Sequence, residues 1–94
     1  MSDDIPNDFT GIAKCDNNTL HYYKGKLHNK NGPAIINNDG STEYFVDGRR
    51  HRIEGAAIVR PNGQCYFFLN GKNVTEEKHK EIVSMIDKYS LKKV

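Results

Sequence analysis

Tyr22-Tyr23-Lys24-Gly25-Lys26-Leu27-His28 decides the reading of this chain, because it comes back. At a step of 23 residues stands Phe45-Val46-Asp47-Gly48-Arg49-Arg50-His51, and 23 further on Phe68-Leu69-Asn70-Gly71-Lys72. The same step carries Gly32 to Gly55, Ala34 to Ala57, Ile35 to Ile58 and Gly40 to Gly63. Run backwards, it sets Ile12 under Ile35 and Ala13 under Ile36. A fixed period of this length marks a repeat array, in which each unit buries its apolar face only against its neighbours.

Each unit carries two turn signals. One is Asp16-Asn17, Asp39-Gly40 and Asn62-Gly63, dipeptides that tolerate the positive φ of a tight hairpin. The other is Lys24-Gly25, Asp47-Gly48 and Asn70-Gly71, followed by a longer polar connection through the histidine positions. Between these signals lie strand formers at 11–15, 19–23, 34–37, 41–46, 56–60 and 64–69. The expectation is a mainly β chain, an antiparallel meander of about six strands built from two and a half repeats. Pro33 and Pro61 fall at strand starts or turns, where a missing amide hydrogen does least harm.

Past Gly71 the pattern stops. Val74 stands where a third histidine would be, and Thr75-Glu76-Glu77 opens a helix with a capping hydroxyl and acids at the positive end of its dipole. Ile82, Met85, Ile86 and Tyr89 follow at helical spacing, and Lys88, Lys92 and Lys93 close the C-terminal end. The helix is expected over about 75–90, with its apolar stripe on one sheet face. The organisation is then a polar N-terminal arm over 1–8, the repeat sheet over 9–73, and a capping helix with a basic tail over 74–94.

The run at 44–51 and the Asn62-Gly63-Gln64-Cys65-Tyr66 that follows resemble the MORN repeat, another unit of 23 residues. The spacing inside the unit differs, so the nearer likeness is to a MORN-like variant of bacteriophage and some bacterial proteins. That variant reads Tyr-x-x-Gly-Lys-x-His-x-x-x-Gly-Pro-Ala, which Tyr22 to Ala34 fits. The second copy has Ala56 for the proline, and the third ends before its histidine. The resemblance spans about residues 11–73. It implies a binding or assembly scaffold without catalysis, and a phage setting.

Composition excludes much else. With 14 Lys and Arg against 12 Asp and Glu, the charge of +2 does not announce a nucleic-acid binder. Nine aromatics (five Tyr and four Phe) argue against disorder. The acidic start Met1-Ser2-Asp3-Asp4 is unlike a signal peptide, and no apolar run reaches the length of a membrane span. The expected location is the cytoplasm, that of the host if a phage encodes the chain, with no membrane partner. His28 and His51 recur at equivalent positions two strands apart, too far to share a metal, and are read as ordering the connections through backbone bonds. No metal or other cofactor is expected. His21 and His79 fall outside the register and carry no signal. Cys15 and Cys65 sit at different points of the repeat near opposite ends of the meander and are expected as free thiols. No nucleophile, carboxylate pair or phosphate-cradling loop stands in a recognisable arrangement, so the chain is not read as an enzyme.

The aromatic column is the most informative feature. Alternation puts Tyr22, Phe45 and Phe68 on one face with Leu20, Glu43 and Tyr66, and Tyr23, Val46 and Leu69 on the other with His21, Tyr44 and Phe67. Both faces are rich in apolar residues and one helix covers only one of them. The uncovered column of Tyr22, Phe45, Phe68 and Tyr66 is therefore the expected partner surface or homodimer seam. The basic cluster Arg49, Arg50 and Arg52 would assist. The expected function is non-catalytic binding of another protein, a host protein in the phage setting, as monomer or homodimer, that inhibits or redirects it. Two alternatives stand beside it: a nucleic-acid or nucleotide binder using Arg49 to Arg52 and the tyrosines, and a self-assembling structural module.

Overall fold

The computed structural model describes residues 8–88. Ten strands precede one helix: β1 (Gly11–Cys15), β2 (Asn18–Tyr23), β3 (Lys26–Leu27), β4 (Ile35–Ile36), β5 (Thr42–Glu43), β6 (Phe45–Val46), β7 (Arg49–Arg50), β8 (Ile58–Val59), β9 (Cys65–Leu69), β10 (Lys72–Val74) and α1 (Glu76–Lys88). The main sheet runs β1-β2-β4-β5-β8-β9-β10, β3 pairs with β2, and β6 and β7 form a separate ribbon. Every pairing is antiparallel. The expected meander with a C-terminal helix is the fold. The strands beyond the expected six are chiefly β3, β7 and β10, returns that the sequence places in polar connections. Lys-Leu, Arg-Arg and Lys-Asn-Val are too short to show a strand's period of two.

The two kinds of turn behave differently. Lys24-Gly25, Asp47-Gly48 and Asn70-Gly71 are the tight two-residue hairpins, with φ near +50° at the first residue and +81° to +85° at the glycine. Asp16-Asn17 is of the same kind, at +51° and +67°. Asp39-Gly40 and Asn62-Gly63 are not: only their glycines have positive φ. They end three-residue loops closed by Asn37 with Ser41 and Arg60 with Gln64. There the Asx side chain does the shaping, since Asp39 Oδ1 accepts from the Ser41 amide at 2.9 Å and Asn62 Oδ1 from the Gln64 amide at 3.0 Å.

Neighbouring repeats are joined by a recurring clasp. The Asp47 amide donates to His28 Nδ1 at 3.0 Å and the Asn70 amide to His51 Nδ1 at 2.9 Å. Beside each, the Gly48 amide donates to Leu27 O and the Gly71 amide to Arg50 O, both at 2.8 Å. The first repeat has no preceding histidine, and Thr10 Oγ1 takes the Lys24 amide at 2.9 Å while Phe9 O takes that of Gly25. Thus each histidine orders the next repeat's turn, rather than its own connection. Val74 has no acceptor to offer, so the array ends there.

The core lies mid-chain in Ala34, Phe45, Ile53, Ala56, Ala57 and Ile58, with Ser41, His51 and His79 buried among the polar residues. Thr75 caps α1, its Oγ1 accepting from the Lys78 amide at 3.1 Å. The helix rests on β9. Its anchor is His79, whose ring packs at a tilt of 54° against Phe67, 5.0 Å between ring centroids, and donates from Nε2 to Arg52 O at 2.7 Å. The expectation that His79 carries no signal is overturned: it is the buried member of the helix's inner face, ahead of Ile82, Val83 and Ile86, which are half-buried. Met85, expected in that stripe, is exposed. Tyr89, Lys92 and Lys93 lie outside the described residues, as does most of the N-terminal arm.

Candidate functional site

Pairing register assigns each side chain to a face. Lys14, Thr19, Ile36, Thr42, Val59 and Cys65 align in one row, and Ala13, Leu20, Ile35, Glu43, Ile58 and Tyr66 in the next. By alternation the first row shares its face with Ile12, His21, Tyr23 and Phe67, and α1 sits on that face through His79. The second row shares its face with Tyr22, Phe45 and Phe68.

That second face is not the open ladder expected from the sequence. Phe45 is 8% exposed, and Tyr22 and Phe68 are half-buried. Tyr22 meets the Phe9 ring edge-on at 5.9 Å, and the two phenylalanines are covered by Arg50, whose guanidinium lies 5.3 Å from the Phe45 ring centroid and 5.6 Å from that of Phe68. Glu43, from the same face, fixes it through Oε1, at 3.1 Å from Nη2 and 3.3 Å from Nε. Of the four expected contact aromatics only Tyr66 is exposed, with Arg60 5.6 Å from its ring centroid.

The basic cluster is likewise spent within the fold. Arg49 and Arg50 form β7 rather than a loop. Arg52 sits over the Tyr44 ring, its guanidinium carbon 3.9 Å from the centroid, and donates from Nη1 to Ala56 O at 3.2 Å. Asn29, one repeat earlier, makes the equivalent bond from Nδ2 to Pro33 O at 3.1 Å. Only Arg49 of the three is exposed, and its stem packs over Gly71.

The open apolar residues lie on the helix-bearing face. Ile12 is 58% exposed, Tyr23 44% and Ile36 41%, while at the other end α1 sits on Phe67 and forms with Val59 and Cys65 the walls of a cleft of about 630 Å³. Sequence reasoning missed them because the repeat sets Ile12 under Ile35, which faces the other way. The first turn has two residues where the later ones have three, so Ile12 pairs with His21 and Ala13 with Leu20, one residue out of the step that pairs Ile35 with Glu43. A slip of one residue reverses the face of every side chain in β1. The signal was present in Asp16-Asn17, where the later repeats end in glycine.

Compared with known protein families, curated proteins and solved structures, the chain matches none.

The site's ionisable groups are occupied with structure. His51 is 4% exposed. Burial, and then the neighbouring His79, push its pKa below the ordinary histidine value. Its Nδ1 accepts from the Asn70 amide, so the proton sits on Nε2, which is buried without a partner among the described residues. The Ser41 amide and hydroxyl hold Asp39 below the usual carboxylate range. Cys15 and Cys65 are free and exposed, on β1 and β9. Five strand steps separate those strands, on the order of 24 Å.

Proposed function

We propose that this chain is a non-catalytic module that binds another protein through the helix-bearing face of its sheet. One observation carries this: Ile12, Tyr23 and Ile36, the most exposed large hydrophobic side chains among the sheet's described residues, share the face on which α1 sits at one end only. Exposed apolar groups gathered on one face favour protein contact. The nucleic-acid alternative loses weight because Arg50 and Arg52 are held by Glu43, Ala56 and aromatic rings, leaving Arg49 as the open head group of the three. Growth of the array by repeat stacking is disfavoured too, since the Lys24 and Gly25 amides are already met by Thr10 and Phe9. The MORN-like resemblance fits such a scaffold and would make the partner a host protein of a phage, inhibited or redirected in the host cytoplasm.

The test is an affinity capture of the tagged chain from lysate, with and without nuclease, repeated for Ile36→Asp and for Arg49→Ala. A nuclease-resistant complex lost with Ile36→Asp and kept with Arg49→Ala supports the reading. A complex that vanishes with nuclease, or with Arg49→Ala alone, overturns it.

A further inference from the structure

Position 21 of the first repeat, with its equivalents 44 and 67, is the floor of a groove on the helix-bearing face. The three copies are finished differently. Tyr44 is covered by Arg52 of its own repeat, at 3.9 Å. Phe67 is covered by His79 of α1, at 5.0 Å, because the residue equivalent to Arg52 is Thr75, which caps the helix instead. In the first repeat that residue is Asn29, too short to cover the ring and tied to Pro33 O. The groove there has Thr10, Ile12, His21, Tyr23, His28 and Lys30 among its walls and a volume of about 320 Å³, beside about 300 Å³ at Tyr44 and about 630 Å³ between α1 and Phe67. His21 Nδ1 is buried at its floor with no partner among the described residues.

We infer that this first groove takes an amphipathic α-helix of the partner protein, seated as α1 is seated two repeats on. This rests on the protein-binding reading above. The occupant's shape follows from the molecule's own use of the third groove, where a helix sets a tilted ring against position 67 and donates to the carbonyl of residue 52. Its charge follows from the rim. Lys14 stands in the same face's outer row, Lys24 Nζ lies 5.3 Å from the Tyr23 ring centroid, and Lys30 lines the wall. None of these three lysines is in an ion pair among the described residues. The complementary helix therefore carries acidic residues beside its apolar stripe.

The probes are two hydrocarbon-braced helical peptides, one with the sequence of residues 75–88 and one with Lys78→Glu and Lys80→Glu. Each is titrated into the full-length protein and followed by amide chemical shifts. The shifts are expected at Ile12, His21, Tyr23 and Lys30, with the glutamate peptide at least about five-fold tighter at low salt and the gain gone at high salt. Tyr23→Asp and Ile12→Asp, each with an unchanged melting midpoint, should abolish the shifts. Shifts at Val59, Cys65 and Phe67 would mean that the peptide merely displaces α1, and would overturn the proposal. So would equal affinities, no shift at millimolar peptide, or the same residues shifting with protein concentration alone, which would assign the groove to a second copy. Failure of both peptides, with the captured complex still lost in Ile36→Asp, sinks the helix-in-groove proposal and leaves the broader reading standing.

Discussion

A ring nitrogen at His28 and at His51 accepts one of the backbone bonds that tie each repeat to the next. Removing it strands an amide of a tight turn, so His51→Ala should cost on the order of 1–3 kcal/mol beyond lost packing, read by urea unfolding. The clasp also has a pH dependence. Because burial lowers the His51 pKa, the unfolded chain takes up a proton that the folded one refuses as pH falls below about 6.5. Its share of stability is therefore intact above that value, declines as pH falls from there to the folded value, and is constant below both. His51→Gln, which can accept from Asn70 without titrating, should flatten this part of the curve below about pH 6.5. An unaltered slope in that variant would remove His51 from the account. Phe45 belongs to the same scale. Buried under Arg50, Phe45→Ala should cost about 3–5 kcal/mol in unfolding, so any effect on a partner would follow from lost fold.

Turns and the helix act as elements, and their substitutions should sort by geometry. Gly63 has φ of +91° with open space around it, so Gly63→Ala meets no clash and should lose about 1–2 kcal/mol from backbone strain alone. Asn17, at φ +67° in a two-residue hairpin, should gain several tenths of a kcal/mol on Asn17→Gly. Thermal unfolding of the two variants should shift in opposite directions. For α1, Thr75→Ala removes the cap and should cost about 1 kcal/mol. His79→Ala removes both the ring contact with Phe67 and the bond to Arg52 O and should cost more, while His79→Phe should recover part of the loss. Helical circular dichroism across a melt distinguishes the three. An effect of His79→Ala no larger than that of Thr75→Ala would show that the helix is held elsewhere.

At the scale of the molecule, α1 closes the end of the array that lacks a histidine clasp. A chain cut before Thr75 uncovers Phe67, and should melt lower and self-associate, as measured by sedimentation. A monomeric 1–74 fragment with an unchanged midpoint would deny the helix that role. The partner complex should depend on salt through its rate of formation if Lys14, Lys24 and Lys30 form the rim, while changes at Ile12 and Tyr23 should act on its lifetime.

The period of 23 residues, the Gly-bearing turn pairs and the capping Thr75 are local features, and they determined by themselves an antiparallel meander ending in a helix. They also marked His28 and His51 as backbone-ordering residues, since a step of one repeat sets those rings too far apart for a shared site. Which side chains lie open was a tertiary decision. Whether Phe45 and Phe68 lie open depends on Arg50 of the β6-β7 ribbon, held over both rings by Glu43 of the main sheet, a contact that no periodicity encodes. Whether Ile12 points to α1's face or away from it depends on one residue of turn length, which the repeat alignment hides and the hydrogen-bond register reveals. His79 lay outside every repeat because its partners, Phe67 and the Arg52 carbonyl, come from strand β9 and the loop after β7, brought under the helix only when the chain folds.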